Sequence, residues 1–305
     1  MYWNAAIHYN FYECEREVKP AWLIPNPAGG HEPLFYDYSV ADFQAWWVRC
    51  AVDAVRGSEG LLDGLFLDAT PKIAHDDSQL ATWGTMVDQL RASLGRTAII
   101  IDNGFYLTSA GIELAGESAW AHTGATYVES MQRIGPANKG SSGAAAIIAS
   151  WERSLWMVQP SMPAAWALHY LRWLANASAT HPTRMLIGHG STGSSPTVTH
   201  EDAVMDPVFR FGLVKYLMVT SSVSRGYFIA NNGSYCIDGG LLAQPTSVYT
   251  DAGIGCGEPA APFEITGGAG SYTLRRRFDN GTIYLDLVTG TSSIDCVGAT
   301  TSVRS

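Results

Sequence analysis

Charged residues are scarce in this sequence, and lysine is the scarcest of them. Asp, Glu, Lys and Arg make up 15% of the 305 residues, the formal net charge is −9, and there are only four lysines. No cluster of basic residues could follow a phosphate backbone. No apolar run approaches the roughly 20 residues that cross a bilayer, and the N-terminus lacks a basic region followed by an apolar stretch. We therefore expect neither nucleic acid nor a membrane as a partner.

Cysteines are also few, and none of them form a Cys-x-x-Cys pair. This counts against a zinc or redox motif and leaves the disulfide pairing open. The five are Cys14, Cys50, Cys236, Cys256 and Cys296. Three Asn-x-Ser/Thr triplets, at Asn176, Asn232 and Asn280, are weak indications of secretion. We expect a secreted or extracellular protein, with no signal peptide visible in this chain.

Short apolar runs alternate with longer amphipathic segments. The runs at 2–9, 65–69, 98–104, 126–130, 185–190 and 226–231 are typical of strands buried on both faces, and the run at 144–150 is ambiguous. One segment with helical spacing follows Ser39, a candidate N-cap, and a second one ends at Gly95, a candidate C-cap. This order predicts an α/β fold with a parallel sheet covered by helices.

A (β/α)8 barrel is the favoured architecture. No Gly-x-Gly-x-x-Gly follows the first strand, as a dinucleotide-binding fold would require, and the six clear strands approach the eight of a barrel. Residues 263–290 alternate in polarity around Asp-Asn-Gly, which predicts a β-hairpin. We therefore predict a barrel over 1–262 and a C-terminal antiparallel appendage over 263–305.

Polar residues occur where the predicted strands end, and these ends meet at one mouth in such a barrel. They are Asn4, His8, Asp68, Asp102, Asn103, Glu129 and His189. Asp68 alone could equally be a helix cap or the ion-pair partner of Lys72. Glu is a poorer helix cap than Asp, so a catalytic role is favoured for Glu129. Two carboxylates at one barrel mouth are what glycoside hydrolysis requires.

Aromatic residues support a carbohydrate substrate, because their faces stack on sugar rings. Most of the tryptophans fall within helical periods, whereas Trp3, Tyr9 and Tyr127 lie on predicted strands and are better binding candidates. The histidines show no metal-binding pair, so His8 and His189 are interpreted as hydrogen-bond donors to a ligand or as satisfied polar residues. The predicted substrate-binding residues are Trp3, Asn4, His8, Lys72, Asp102, Asn103, Tyr127 and His189. We expect no metal and no cofactor.

Several segments together resemble a known family. They include YWNAAIHYNFY, DGLFLDATPK, IIDNGF, YVES and YTLRRRFDNGTIYLDL. From residue 2 to about 286 the chain is similar to the glycoside-hydrolase-like (β/α)8 barrel family of the hypothetical glycosyl hydrolase type. The resemblance implies action on a glycosidic bond, with Asp68 and Glu129 at the acidic strand-end positions. Because the family has material before the YWN strand, it also implies that a first βα unit is missing here.

The neighbours of each carboxylate predict its role. Lys72, Asn4 and Asn103 would keep Asp68 ionised as a nucleophile or stabilising anion, and the less charged setting of Glu129 suits a general acid. Two other functions stay open. One is a carbohydrate-binding barrel without turnover, and the other is a polysaccharide lyase that uses His189 and Lys72. The sugar, the linkage and the oligomeric state are not predicted.

Overall fold

The computed structural model describes residues 1–9, 13–25, 34–70, 77–103, 120–128, 164–191, 207–231, 255–267 and 270–297. The chain divides into two compact units, Met1–Tyr127 and Val128–Ser305. The ambiguous run at 144–150 lies outside the described residues.

The first unit is built on parallel strands. Its elements are β1 (Tyr2–Asn4), β2 (Leu23–Ile24), β3 (Phe35–Tyr36), α1 (Ala41–Arg56), β4 (Gly64–Asp68), α2 (Asp77–Leu94), β5 (Ile99–Asp102) and β6 (Ala125–Val128). β1, β4, β5 and β6 pair in that order, all parallel, while β2 and β3 form a short antiparallel pair. This is the strand–helix alternation that the apolar runs predict.

The register of the parallel strands assigns residues to two faces. Trp3 pairs with Leu67, and Asn4 pairs with Asp68. Side chains alternate along a strand, so Trp3 and Leu67 share one face and Asn4 and Asp68 share the other. The Trp3 face is the core face, because the Trp3 ring lies 6.3 Å from Trp46 and 6.0 Å from Trp47 of α1. Asp68 thus lies on the face opposite α1.

Two local features of this unit differ from prediction. β1 ends at Asn4, well short of residue 9, because Asn4 Oδ1 accepts hydrogen bonds from the backbone N–H groups of Ala6 and Ile7 and turns the chain. The N-cap of α1 is Val40. Ser39, the predicted cap, instead donates its hydroxyl to Asp37 at 2.6 Å.

The end of α2 agrees with the sequence. Gly95 has a φ of +91°, which only glycine adopts readily, and its N–H is bonded to the carbonyl oxygen of Arg91. The predicted C-cap is therefore confirmed.

The second unit contains α3 (Ala164–Thr180), β7 (Met185–Ser191), α4 (Pro207–Val219) and β8 (Tyr227–Asn231), followed by an antiparallel sheet. β7 and β8 are parallel neighbours. The antiparallel sheet has the order β12-β11-β10-β9, formed by β9 (Glu264–Thr266), β10 (Thr273–Phe278), β11 (Gly281–Asp286) and β12 (Ser292–Cys296). The α/β class and a C-terminal antiparallel sheet are confirmed. The predicted hairpin is β10–β11, closed where Phe278 pairs with Gly281, and two more strands extend it.

Among the described residues, each unit contains one disulfide bond. Cys14 is joined to Cys50 in the first unit, and Cys256 is joined to Cys296 in the second. Cys236 lies outside the described residues. Among the helices that the structure describes, none is both long and apolar enough to cross a bilayer.

Candidate functional site

Asp68 ends β4 with both carboxylate oxygens engaged by neighbouring strands. The Tyr2 hydroxyl donates to Oδ2 at 2.6 Å, and the Asn103 side-chain amide donates to Oδ1 at 2.8 Å. The side chain is half-buried. The arrangement orients an anionic group at the carboxyl ends of parallel strands.

Tyr2 is itself held in place. The Asn4 amide donates to the Tyr2 hydroxyl at 3.2 Å, while Asn4 Oδ1 accepts the backbone hydrogen bonds of the turn that ends β1. Burial, followed by the negative charge of Asp68, raises the pKa of Tyr2. The phenol therefore stays protonated at neutral pH and remains a hydrogen-bond donor to Asp68.

Aromatic side chains occupy the same face as Asp68. The Tyr2 and Phe66 rings are stacked with centroids 6.2 Å apart, and the Tyr127 ring meets Phe66 edge-on at 5.3 Å. Tyr9 is 39% exposed, and the pKa of its phenol is raised by burial and then by the charge of Asp68. A carboxylate bordered by partly exposed rings is the combination that carbohydrate sites use.

The backbone directly after Asp68 adopts an unusual conformation. Ala69 has a φ of +60°, in the left-handed region that residues with a Cβ seldom occupy. Ala69 and Thr70 are both buried, and the Thr70 hydroxyl donates to the carbonyl oxygen of Leu67 at 3.3 Å. Such strain costs about 1 kcal/mol or more and persists where the surrounding structure imposes it, frequently at functional sites.

Two predicted binding residues do not belong to this face. Trp3 is 1% exposed and packs against α1, so its predicted contact with substrate is replaced by a role in the core. Asp102 is fully buried and accepts hydrogen bonds from the hydroxyls of Thr123 and Thr126. Asp102 therefore ties β5 to the start of β6 and does not face a ligand.

The other predicted residues divide into three groups. Asn4 and Asn103 belong to the Asp68 cluster as just described, and Tyr127 joins it through Phe66. His8 is half-buried beside Tyr36. Lys72 and Glu129 lie outside the described residues, and of His189 the structure describes only the backbone, which lies in β7. The predicted pairing of Asp68 with Lys72 or Glu129 therefore stays a prediction.

Sequence reasoning missed Tyr2 and Phe66. A usable signal existed for both. Tyr2 is two residues before Asn4, and Phe66 is two before Asp68, which is the spacing of side chains on the same face of a strand. Tyr9 was selected as an aromatic residue of the run at 2–9, and it lies after the end of β1.

No group of three or more His, Cys, Asp or Glu side chains that could hold a metal ion occurs in the part of the chain that the structure describes. The site as described consists of a carboxylate, amides, phenols and aromatic rings. These groups can bind and polarise hydroxylated ligands.

Comparisons with known proteins give distant structural similarity only. No protein-family model matches the chain, and no curated protein matches it. The glycoside hydrolase domain of PelA from Pseudomonas aeruginosa is 13% identical, with a TM-score of 0.45, over 76% of this chain and 77% of that one. An α-galactosidase from Thermus thermophilus is 10% identical, with a TM-score of 0.44, over 96% of this chain and 50% of that one. At these TM-scores the similarity carries no argument about activity.

Proposed function

We propose that this chain is a glycosidase in which Asp68 is the nucleophile or stabilising anion and Glu129 is the general acid. The observation that carries the proposal is the half-buried Asp68, held by Tyr2 and Asn103 beside aromatic rings at the carboxyl ends of parallel strands. Glu129 enters from the sequence alone. The proposal includes a (β/α)8 barrel over 1–262, with 263–305 as an appendage.

The contacts of Asp68 suit an anion that must stay oriented. A neutral carboxylic acid would turn one oxygen into a donor, whereas both oxygens here receive hydrogen bonds from O–H and N–H donors. An oriented carboxylate can attack, or stabilise, the oxocarbenium-like centre that develops when a glycosidic bond breaks.

The substrate class follows from the same groups. Asp68 and Tyr2 offer polar contacts, and the Phe66 and Tyr127 rings offer apolar surface, which together fit a neutral or weakly charged oligosaccharide. The disulfides Cys14–Cys50 and Cys256–Cys296 favour an oxidising compartment, and we propose that the protein acts outside the cytosol.

The test is a screen of polysaccharides with reducing-end detection, run on the wild type, Asp68→Asn and Glu129→Gln. We expect Asp68→Asn to lower kcat roughly a thousandfold or more. Glu129→Gln should lose natural linkages but keep aryl glycosides whose leaving groups need no protonation. Asp63→Asn is the matched control, because Asp63 is an exposed carboxylate just before the same strand.

Each alternative function has its own outcome in that screen. Sugar binding without release of reducing ends, unchanged in Asp68→Asn, would indicate a non-catalytic binding protein. An unsaturated product that absorbs in the ultraviolet would indicate a lyase. Full turnover of the natural substrate by both variants would remove the two carboxylates from the mechanism.

A further inference from the structure

Glu15, a buried carboxylate of the first unit, is linked to His8 through Tyr36. Glu15 is 4% exposed and Tyr36 is 2% exposed. The Tyr36 hydroxyl lies 3.2 Å from Glu15 Oε1 and 3.4 Å from His8 Nδ1. The disulfide Cys14–Cys50 anchors the short helix Glu13–Glu17, which carries Glu15, to α1. These contacts join Glu15, Tyr36 and His8 in one chain.

The direction of the hydrogen bonds follows from the protons available. A carboxylate only accepts, so the single hydroxyl proton of Tyr36 goes to Glu15. Burial, followed by the negative charge of Glu15, raises the pKa of Tyr36 and keeps this proton on the phenol. The Tyr36 oxygen can then only accept from His8, which requires the proton of a neutral His8 to be on Nδ1. Its Nε2 then carries a lone pair.

His8 lies close to the Asp68 cluster along the chain. It is on the segment that leaves the carboxyl end of β1, where the Ala5 N–H is bonded to the Asp68 carbonyl oxygen at 2.7 Å. The next residue, Tyr9, has a phenol whose pKa is raised by burial and then by the charge of Asp68. Among the described residues, the His8 ring makes one hydrogen bond, through Nδ1 to Tyr36.

We propose that His8 is a further binding residue of the Asp68 site, fixed by Tyr36 and Glu15 in the Nδ1–H tautomer so that Nε2 accepts a hydrogen bond from a ligand hydroxyl. This reverses the donor role that the sequence suggested for His8. The ligand class, a polyhydroxylated molecule such as a sugar, rests on the proposed function. The tautomer does not, because it depends only on Tyr36 and Glu15.

The tautomer is tested on the full-length, 15N-labelled protein by long-range 1H–15N correlation of imidazole nitrogens near pH 8, where an ordinary histidine is neutral. His8→Gln assigns the signals. We expect a protonated Nδ1 and an unprotonated Nε2 at His8, and a shift towards the Nε2–H form in Tyr36→Phe. Tyr284→Phe, on the partly exposed C-terminal sheet, is the control and should change nothing at His8.

A protonated Nε2 in the wild type would overturn the proposal, even if Tyr36→Phe fails to fold. An unchanged His8 spectrum in a folded Tyr36→Phe would overturn it too.

The ligand role has a separate readout, with p-nitrophenyl glycosides of neutral hexoses as probes. We expect His8→Leu to raise KM about tenfold, the value of one hydrogen bond, with a smaller change in kcat. His8→Gln should retain most of the affinity, because a glutamine oxygen can replace Nε2 as the acceptor. Equal KM values for the wild type and His8→Leu would refute the role of His8 alone, whereas full activity of Asp68→Asn would refute the proposed function instead.

Discussion

Arg276 is predicted to be a main determinant of the stability of the second unit. This β10 residue is 6% exposed, and its guanidinium donates to the carbonyl oxygens of Leu217, Met218 and Thr220 at 2.7–2.8 Å, and to that of Ala261 at 2.9 Å. Helix α4 ends at Val219. The last carbonyls of a helix have no partner within the helix, so Arg276 satisfies groups that would otherwise be buried without hydrogen bonds. The perturbation is Arg276→Met, which keeps the length of the side chain and removes every donor.

The cost can be worked out from these contacts. Each buried carbonyl that loses its partner costs about 1–3 kcal/mol, and three of the four lie at the end of α4. Removing a buried charge offsets part of this loss, because burial of Arg276 is itself unfavourable and lowers its pKa to about 10. The guanidinium is still cationic at neutral pH. We expect a net loss of about 3 kcal/mol in the free energy of unfolding of this unit.

The assay is urea unfolding followed by far-ultraviolet circular dichroism. Arg277→Met is the matched control: it is the next residue of the same strand, exposed on the opposite face, and should change the free energy of unfolding by less than about 0.5 kcal/mol. Equal midpoints for the two variants would refute the reasoning and indicate that the end of α4 does not depend on Arg276.

Two further predictions concern the same unit. Replacing Cys256 and Cys296 together by serine removes a disulfide between residues 40 apart in the sequence. This should lower the free energy of unfolding, measured by urea denaturation, by about 4 kcal/mol. An unchanged free energy of unfolding after reduction of the wild type would contradict this prediction. Partial burial alone would raise the pKa of Glu258, but hydrogen bonds from Ser224, Val223 and Ser222 outweigh it and hold the pKa below its ordinary 4.5. Since the folded pKa is depressed, the contribution of Glu258 to the free energy of unfolding is present above about pH 4.5. This contribution is lost as the pH falls through the folded pKa. Glu258→Gln should therefore flatten the loss of Tm below pH 4.5.

The element order was predictable because it depends on local patterns. Apolar runs indicated β4, β5, β7 and β8, and helical spacing indicated α1 and α2. Asp279-Asn280-Gly281 marked the turn of β10–β11, where glycine relieves a close approach to the backbone of β12. The three-residue length of β1 was not predictable from periodicity, because it depends on one side chain, Asn4, that competes for the backbone N–H groups.

The candidate site was predictable only in part, because it depends on register. Asp68, Asn4 and Asn103 were expected to come together from neighbouring strands, and they do. The errors at Trp3 and Asp102 share a cause. Each was selected together with its neighbour in sequence, Asn4 or Asn103, although adjacent residues of a strand point to opposite faces.

The same alternation gives a rule for choosing between such neighbours. In β4 the buried Leu65 and Leu67 face the helices, which leaves Phe66 and Asp68 on the other face, and parallel pairing carries this choice to adjacent strands. The Asn4–Asp68 pair then selects Tyr2 over Trp3 in β1, and the Leu67–Asp102 pair selects Asn103 over Asp102 after β5. One reliable assignment therefore fixes the faces of its neighbours once the register is known. The strand pairing itself joins residues far apart in the chain, so the missing information lay in the tertiary contacts and not in the local pattern.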